Sequence, residues 1–389
     1  MASHSFDGVA LVAPVSVPYV RYSEHGAAWF LGRTFSELIA RAAIGKSEVD
    51  GLALASLTLA PDSVVAVTEY LDLSPRWIEQ LPMGGASGVI ALRRAARAIQ
   101  NGDAGIVACI GGDTHHKEGF REIISNFSRS SIDSVYPYGG SGPNTVFAMI
   151  TRHYMERFGA LREDFGRICV SQRRNAMACP RALLRGDLSM DQYLSARVIA
   201  EPLHLYDCVM PCAGGEGFLV MPIERARSQG LPYARILGAG ELHNAFLEDD
   251  VHWRGGWALF RDEMFGAAGR GPEDVDLLET YDDYPVVVMM QLEDLGFCER
   301  GTAADFVRRT DMTIGGGGLP HNTSGGQLSG GQAGAGGGFL GTVEAIRQLT
   351  ESGLPNTVPG AETALISGYG MVNYDRCLCS AAALIARAQ

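Results

Sequence analysis

The sequence predicts an α/β fold made of two duplicated halves, with a region inserted into the first, and three observations predict it. One order of elements (strand, glycine-rich turn, helix, apolar strand) occurs twice, the glycines gather at the turns, and helical periodicity follows each turn. In the first copy Glu48, Val49 and Asp50 enter an apolar strand ending at Leu54. Gly84, Gly85, Ala86, Ser87 and Gly88 then open a helix running to about Gln100, and the apolar run 105–110 ends in Gly111 and Gly112. In the second copy Asp274, Val275 and Asp276 precede Leu277 and Leu278. Gly330, Gly331, Gln332, Ala333 and Gly334 open a helix to about Thr350, and the run 364–367 ends in Gly368 and Gly370. This order implies largely parallel strands within each half.

The halves divide at residues 1–228 and 229–389, because Gln229, Gly230, Leu231 and Pro232 read as a linker. The inserted region covers about 115–210 and carries helical stretches around 146–158 and 189–199. With 46% hydrophobic and 20% charged residues, the 389-residue chain has enough apolar material for a large core without disulfide or metal staples.

Charge and composition exclude several function classes. A net charge of −12 argues against nucleic acid, whose phosphates need a basic footprint. An anionic substrate would need a local basic pocket, for which Arg129, Arg173 and Arg174 are available. The longest apolar runs, such as 285–290, fall far short of a membrane span. The first residues to Asp7 lack a charged-then-apolar leader, and the eight cysteines show no CxxC spacing. Free thiols in a reducing cytoplasm are therefore expected, with no zinc site on this chain.

The two glycine turns have two readings. Small residues at a helix start let backbone N–H groups approach a ligand, where the helix dipole favours developing negative charge. Alternatively they only permit close helix packing at the centre of the fold. Their matched positions favour a shared site, with Gly85 and Gly331 at its edges.

Longer motifs then carry a resemblance over nearly the whole chain. Asn322, Thr323, Ser324, Gly325 and Gly326 resemble the Asn-Pro-Ser-Gly-Gly loop of the thiolase superfamily. Tyr281, Asp282, Asp283 and Tyr284, followed by Leu292 to Phe297, resemble its second-half signature, and Asp207 and Cys208 followed by Ala213 and Gly214 resemble the segment closing its first half. The match is to the sterol-carrier-protein-type and lipid-transfer-protein branch, which implies a thiolase-type layered αβαβα fold.

Against the family pattern, the catalytic positions have changed. Gly85 stands where a thiolase has its nucleophilic cysteine, and a glycine cannot form an acyl-enzyme. Gln332 replaces the histidine of the second turn; it can donate a hydrogen bond to an oxyanion but cannot take a proton. The head of the Tyr281 motif is a tyrosine instead of asparagine or histidine. The C-terminal glycine-rich loop reads Ser367, Gly368, Tyr369, Gly370 through Tyr374, and Cys377 and Cys379 lie past it, where a helix is expected.

This pattern resembles the thiolase-like retro-aldolases of steroid side-chain degradation, which use tyrosines instead of cysteine. The resemblance implies a carbon–carbon lyase that cleaves a β-hydroxyacyl-CoA, with a tertiary alcohol as one option, into a ketone or aldehyde and a shorter acyl-CoA. Tyr281 is the first candidate for base or hydroxyl-orienting group, its hydroxyl brought toward neutrality by helix N-termini and nearby donors. Tyr369 is the second, with Tyr374 as a substitute; for each tyrosine the plain alternative is a core ring. Gln332, Asn322 and the Gly85 backbone would hold the enolate oxygen, and His321 either lines the cavity or is structural. The adjacent His115 and His116 read as a loop.

Two other readings stay open: a Claisen-type acyltransferase without a covalent intermediate, and a non-catalytic acyl-CoA-binding or scaffold subunit. The resemblance also implies a homodimer through the thiolase core and a small OB-fold partner protein. Any zinc would sit in that partner's ribbon. No cofactor is expected on this chain beyond the coenzyme A of its substrate.

Overall fold

The computed structural model describes residues 5–117, 136–140, 142–373 and 376–388. Arg129 and Tyr374 lie outside the described residues. Among the described residues the first half is built from β1 (Val9–Val20), α1 (Ala27–Ala42), β2 (Gly51–Ala55), α2 (Val64–Tyr70), β3 (Trp77–Gln80), α3 (Ser87–Asn101) and β4 (Val107–Asp113). The intervening region follows with α4 (Gly142–Phe158), α5 (Arg162–Ala178), α6 (Met190–Leu194), β5 (Val198–Ala200) and β6 (Leu203–His204). β7 (Ala213–Pro222) and α7 (Ile223–Ser228) close the half.

The second half comprises β8 (Tyr233–His243), α8 (Trp257–Ala268), β9 (Leu277–Thr280), α9 (Pro285–Asp294), α10 (Ala303–Arg309), α11 (Gly326–Gly330) and α12 (Gly337–Thr350). It ends in the hairpin β10 (Thr363–Asn373) and β11 (Arg376–Arg387).

Nine strands join in the order β3-β2-β4-β7-β1-β8-β11-β10-β9, so one sheet runs through both halves, which meet where β1 pairs with β8. The expectation of largely parallel strands is corrected here. Only β2 with β3, β2 with β4 and β9 with β10 run parallel, while the five central pairings are antiparallel. Of these five, the β10–β11 hairpin alone is a short return; the other four pair strands far apart in the chain. The helix expected over 189–199 is also shorter: α6 stops at Leu194, and 198–200 is a strand.

Strand alternation assigns the layers. Leu52 and Leu54 face one core with α1, while Ala53 and Ala55 face a second that holds α3 and α12. In the other half Leu277, Ala364 and Ile366 face that same central core, whereas Leu278 and Leu365 face a third core against α4, α5 and α9. Both sheet halves thus sandwich α3 and α12, with further helices outside, giving the layered thiolase-type arrangement. α12 is buried on almost every side, Glu344, Arg347 and Gln348 included, as a central helix must be. Its charges are paired: Glu344 accepts from Arg181 at 2.7 Å and from Arg347 at 3.1 Å.

The duplicated aspartates do the same work in each half. Asp50 accepts from the N–H groups of Gly105 and Ile106, and Asp276 from those of Glu362 and Thr363. Each side chain ties the start of one parallel strand to the chain entering its neighbour. Among the described residues no helix is long and apolar enough to cross a membrane.

Candidate active site

Both glycine turns reach the same cleft. A cavity of about 130 Å³, open to solvent, is lined by Gly84 and Gly85 before α3, by Gln332 and Gly334 before α12, and by Tyr281, Asp283 and Tyr369. The packing reading of the turns also holds. A Cβ on Gly88 would lie 2.3 Å from the Gly338 carbonyl oxygen, and one on Gly338 would lie 2.9 Å from the Gly85 Cα. The helix N-termini therefore touch, and this contact places the loops before them on one cleft wall.

Gly85 is the position that decides the chemistry. A Cβ built there would sit 2.0 Å from Cε2 and 2.1 Å from Cζ of Tyr281. The tyrosine ring fills the room a cysteine side chain would need, so the loss of one and the gain of the other are a single steric event. Tyr281 follows β9 directly, and its N–H donates to the Ser367 carbonyl of β10 at 3.0 Å. Gln291 donates to its carbonyl at 2.7 Å, so the backbone carrying the ring is held from both sides.

The polar contacts revise the roles read from the sequence. The Gln332 side-chain amide donates to the Tyr281 hydroxyl at 3.2 Å and makes a short hydrogen bond to the Asp283 carboxylate. Both amide protons are thereby engaged, and Gln332 orients two cleft groups in this structure. The Gln332 nitrogen bridges the Tyr281 hydroxyl and the Asp283 carboxylate. Burial and the neighbouring Asp283 carboxylate push the Tyr281 hydroxyl well above its ordinary range. The expected shift toward neutrality does not occur, because the ring is enclosed and beside an anion. Tyr281 is a neutral phenol that donates.

Asp283, which sequence reasoning passed over, is raised to about 7, by burial first and then by Asp282. Its twin Asp282 turns away and accepts from the backbone N–H groups of Gln327 and Leu328. No pattern in the run Tyr-Asp-Asp-Tyr distinguishes the two; only their partners do.

Tyr369 lies on strand β10 and not in a loop, as the glycines around it suggested. Its ring stacks on Trp257 at 5.7 Å and meets Phe147 at 5.9 Å, which fixes it in the cleft wall. Cys377 and Cys379 sit on β11 and not in a helix, since β11 pairs with β10 on one side and β8 on the other. Asn322 and His321 are buried behind the cleft instead of lining it. Asn322 accepts from the Thr280 N–H at 2.9 Å, and His321 bonds the Thr280 hydroxyl at 2.7 Å. Burial lowers His321 to about 3, so it is neutral. Gly331 is packed toward Cys212 outside the lining. Arg173 is buried and bonded to Ser329, so it does not supply the expected basic pocket.

His115 and His116 lie in the loop after β4, as read, and His115 lines the cleft as well. Its Nδ1 donates to the Arg21 carbonyl at 2.8 Å, which turns the ring inward. Asp113, at the end of β4, is a clasp. It accepts from Ser56, from the N–H groups of Leu57 and Thr58, from the Thr58 hydroxyl and, across the halves, from the N–H of Ala335 at 2.7 Å. Replacing it by alanine leaves the buried Ala335 N–H and several half-buried donors without their acceptor, at about 1–3 kcal/mol for each one left unsatisfied. Asp113→Ala should therefore lose about 3 kcal/mol of stability or more, read as a lower urea midpoint at unchanged slope.

All eight cysteines are free thiols, and Cys212 is the one lining the cleft. Burial and Glu216 hold its thiol well above the ordinary range, so it is not a thiolate nucleophile. Among the described residues no group of three or more histidine, cysteine or carboxylate side chains is placed to hold a metal ion.

Comparison with known proteins agrees with this geometry. Residues 257–379 match the family model described as thiolase C-terminal domain-like. A steroid side-chain-cleaving aldolase of Thermomonospora curvata is 32% identical over 75% of this chain and 78% of its own length. The 17-hydroxy-3-oxo-4-pregnene-20-carboxyl-CoA lyase of Mycobacterium tuberculosis is 29% identical over 85% of this chain and 88% of its own. The solved Ltp2-ChsH2(DUF35) aldolase superposes with a TM-score of 0.85 at 26% identity, covering 98% of both chains. The chain belongs to the thiolase superfamily and, within it, to the family of the Thermomonospora curvata aldolase.

Proposed function

We propose that this protein is a retro-aldolase, a carbon–carbon lyase that splits a β-hydroxyacyl-CoA into a carbonyl compound and a shorter acyl-CoA without a covalent intermediate. The observation that carries this reading is the Tyr281 ring in the place of a side chain on Gly85. Retro-aldol cleavage needs no nucleophile. It needs the β-hydroxyl proton removed, the thioester oxygen supported as it becomes an enolate, and the α-carbon protonated.

Tyr281 meets the β-hydroxyl from one side of the cleft. Tyr369, a second phenol in the same wall, delivers the proton to the α-carbon. The enolate oxygen faces the turn at Gly84 and Gly85, where the dipole of the 15-residue helix α3 favours negative charge. The reaction is redox-neutral, so it calls for no cofactor other than the coenzyme A carried by the substrate.

The cleft walls at Leu57, Pro143, Phe147, Pro211, Met371 and Val372 are apolar and suit a bulky acyl group. Both curated relatives are named for steroid side-chain or pregnene carboxyl-CoA substrates, and we carry that class over as the first to be tested. The solved neighbour is named for both Ltp2 and ChsH2(DUF35), which supports a partner chain here. We propose a small OB-fold zinc-ribbon protein in that role, a homodimer through the layered core, and a cytoplasmic location.

The test is to offer the purified protein, with and without such a partner, a panel of β-hydroxyacyl-CoA thioesters and identify products by mass spectrometry. A ketone or aldehyde and the matching shorter acyl-CoA are expected in equal amounts. Acyl-CoA exchange without carbonyl release would favour the Claisen-type reading, and binding without turnover of any thioester would favour the scaffold.

A further inference from the structure

The cleft holds one carboxylate that the two tyrosines leave without a task. We propose that Asp283 is the terminal proton acceptor of the cleavage step, reached through the Tyr281 hydroxyl. The inference rests on the retro-aldol reading of the same site and adds the group that takes the proton.

Geometry carries it. Asp283 and Tyr281 both line the cleft, and the single Gln332 side-chain nitrogen bonds the Asp283 carboxylate and the Tyr281 hydroxyl together. Tyr281 cannot act as the base alone, because a buried phenol beside a carboxylate does not ionise near neutral pH. It can pass a proton on. As its own hydroxyl proton moves to Asp283, its oxygen accepts the proton of the substrate β-hydroxyl.

The alkoxide collapses to the carbonyl and the bond between the α- and β-carbons breaks. That electron pair becomes the enolate, and the α-carbon takes a proton from Tyr369. The proton on Asp283 returns to the Tyr369 phenolate through the solvent of the open cleft. One proton leaves an oxygen, one reaches a carbon, and nothing is oxidised or reduced.

The other candidates in the cleft fit this task less well. Asp113 already accepts from Ser56, Leu57, Thr58 and Ala335. His115 has its Nδ1 committed to the Arg21 carbonyl. The titratable groups facing Asp283 are Tyr281 and Asp282 on its own loop, the adjoining Tyr284, and Cys208 from the segment before β7. The tyrosines and the thiol are all held neutral at pH 7 by burial. Asp283 therefore sets the acid limb of the rate. A carboxyl raised to about 7 must lose its proton before it can accept one, so kcat/KM rises with pH through that value.

The experiment is the pH dependence of kcat/KM for the whole protein with its partner, from about pH 5 to about pH 9, in wild type, D283N and D283E. D283N is expected to fall by about 100-fold or more and to lose the acid limb, while D283E keeps a limb at a displaced pH with partial turnover. A D283N protein with wild-type rate or an unaltered limb overturns the proposal. If circular dichroism shows D283N unfolded, D283E decides, and a limb unmoved from the wild-type position overturns it. A wild type that releases no carbonyl from any β-hydroxyacyl-CoA defeats the retro-aldol reading itself. Normal cleavage with an unaffected D283N defeats only the role of Asp283.

Discussion

Replacing Tyr281 by phenylalanine is expected to lower kcat by about 100- to 10,000-fold, the range lost with a general acid–base group. That corresponds to about 2.7–5.5 kcal/mol of transition-state stabilisation. The ring would stay where it is, against Gly85, so the cleft keeps its shape and KM should change little. A loss in kcat with KM preserved marks an interaction made in the transition state and not in substrate binding. The hydroxyl removed is the one bonded to the Gln332 amide that also holds Asp283, so the proposed path from substrate to carboxylate is cut at its first link. Steady-state kinetics on a variant with unchanged circular dichroism checks this. Turnover within a few-fold of wild type would remove Tyr281 from the chemistry.

The second large effect is at Gly85, a residue with no side chain of its own. Gly85→Ala would place a methyl 2.0 Å from the Tyr281 ring. The ring must move, since no real Cβ contact is that close, and its hydroxyl leaves Gln332 and Asp283. We expect kcat to fall by at least about 100-fold and stability to drop by about 1–3 kcal/mol from overpacking. Gly85→Cys should behave the same way and gain no thiolase activity, because Gln332 cannot deprotonate the thiol.

Pairing Gly85→Ala with Tyr281→Ala makes the steric account specific. The double variant should recover stability lost by the Gly85 substitution while remaining inactive, a coupling expected of two residues sharing one space. Additive stabilities would mean that Gly85 and Tyr281 are independent.

Much of this arrangement was legible in the sequence because it repeats. Asp50 and Asp276 mark equivalent strand starts, and the two glycine turns mark α3 and α12. The family pattern pointed to Gly85, Tyr281 and Gln332 as the altered positions, and all three line one cleft. What was not legible depended on neighbours distant in sequence. Asp283 and Asp282 differ only in partners supplied by Gln332 and by the Gln327–Leu328 backbone. His115 is aimed by a carbonyl on β1's exit, and His116 by another.

The alanine-rich run after Cys379 favours a helix by propensity, yet it is a strand hydrogen-bonded on both sides, a case of tertiary context overriding local preference. Asn322 opens a matched motif and His321 adjoins it, but both bond Thr280, so their work is to hold the loop that presents Tyr281.

The central claim is that carbon–carbon cleavage proceeds here without an acyl-enzyme, because tyrosine occupies the room of the nucleophile. A single turnover of β-hydroxyacyl-CoA in the presence of isotopically labelled free coenzyme A, with intact-protein mass recorded after quenching, tests it most directly. The account predicts a carbonyl product, a shorter acyl-CoA carrying only the coenzyme A of the substrate, and no mass added to the protein. Labelled coenzyme A in the product, or an acyl adduct on the chain, would contradict it.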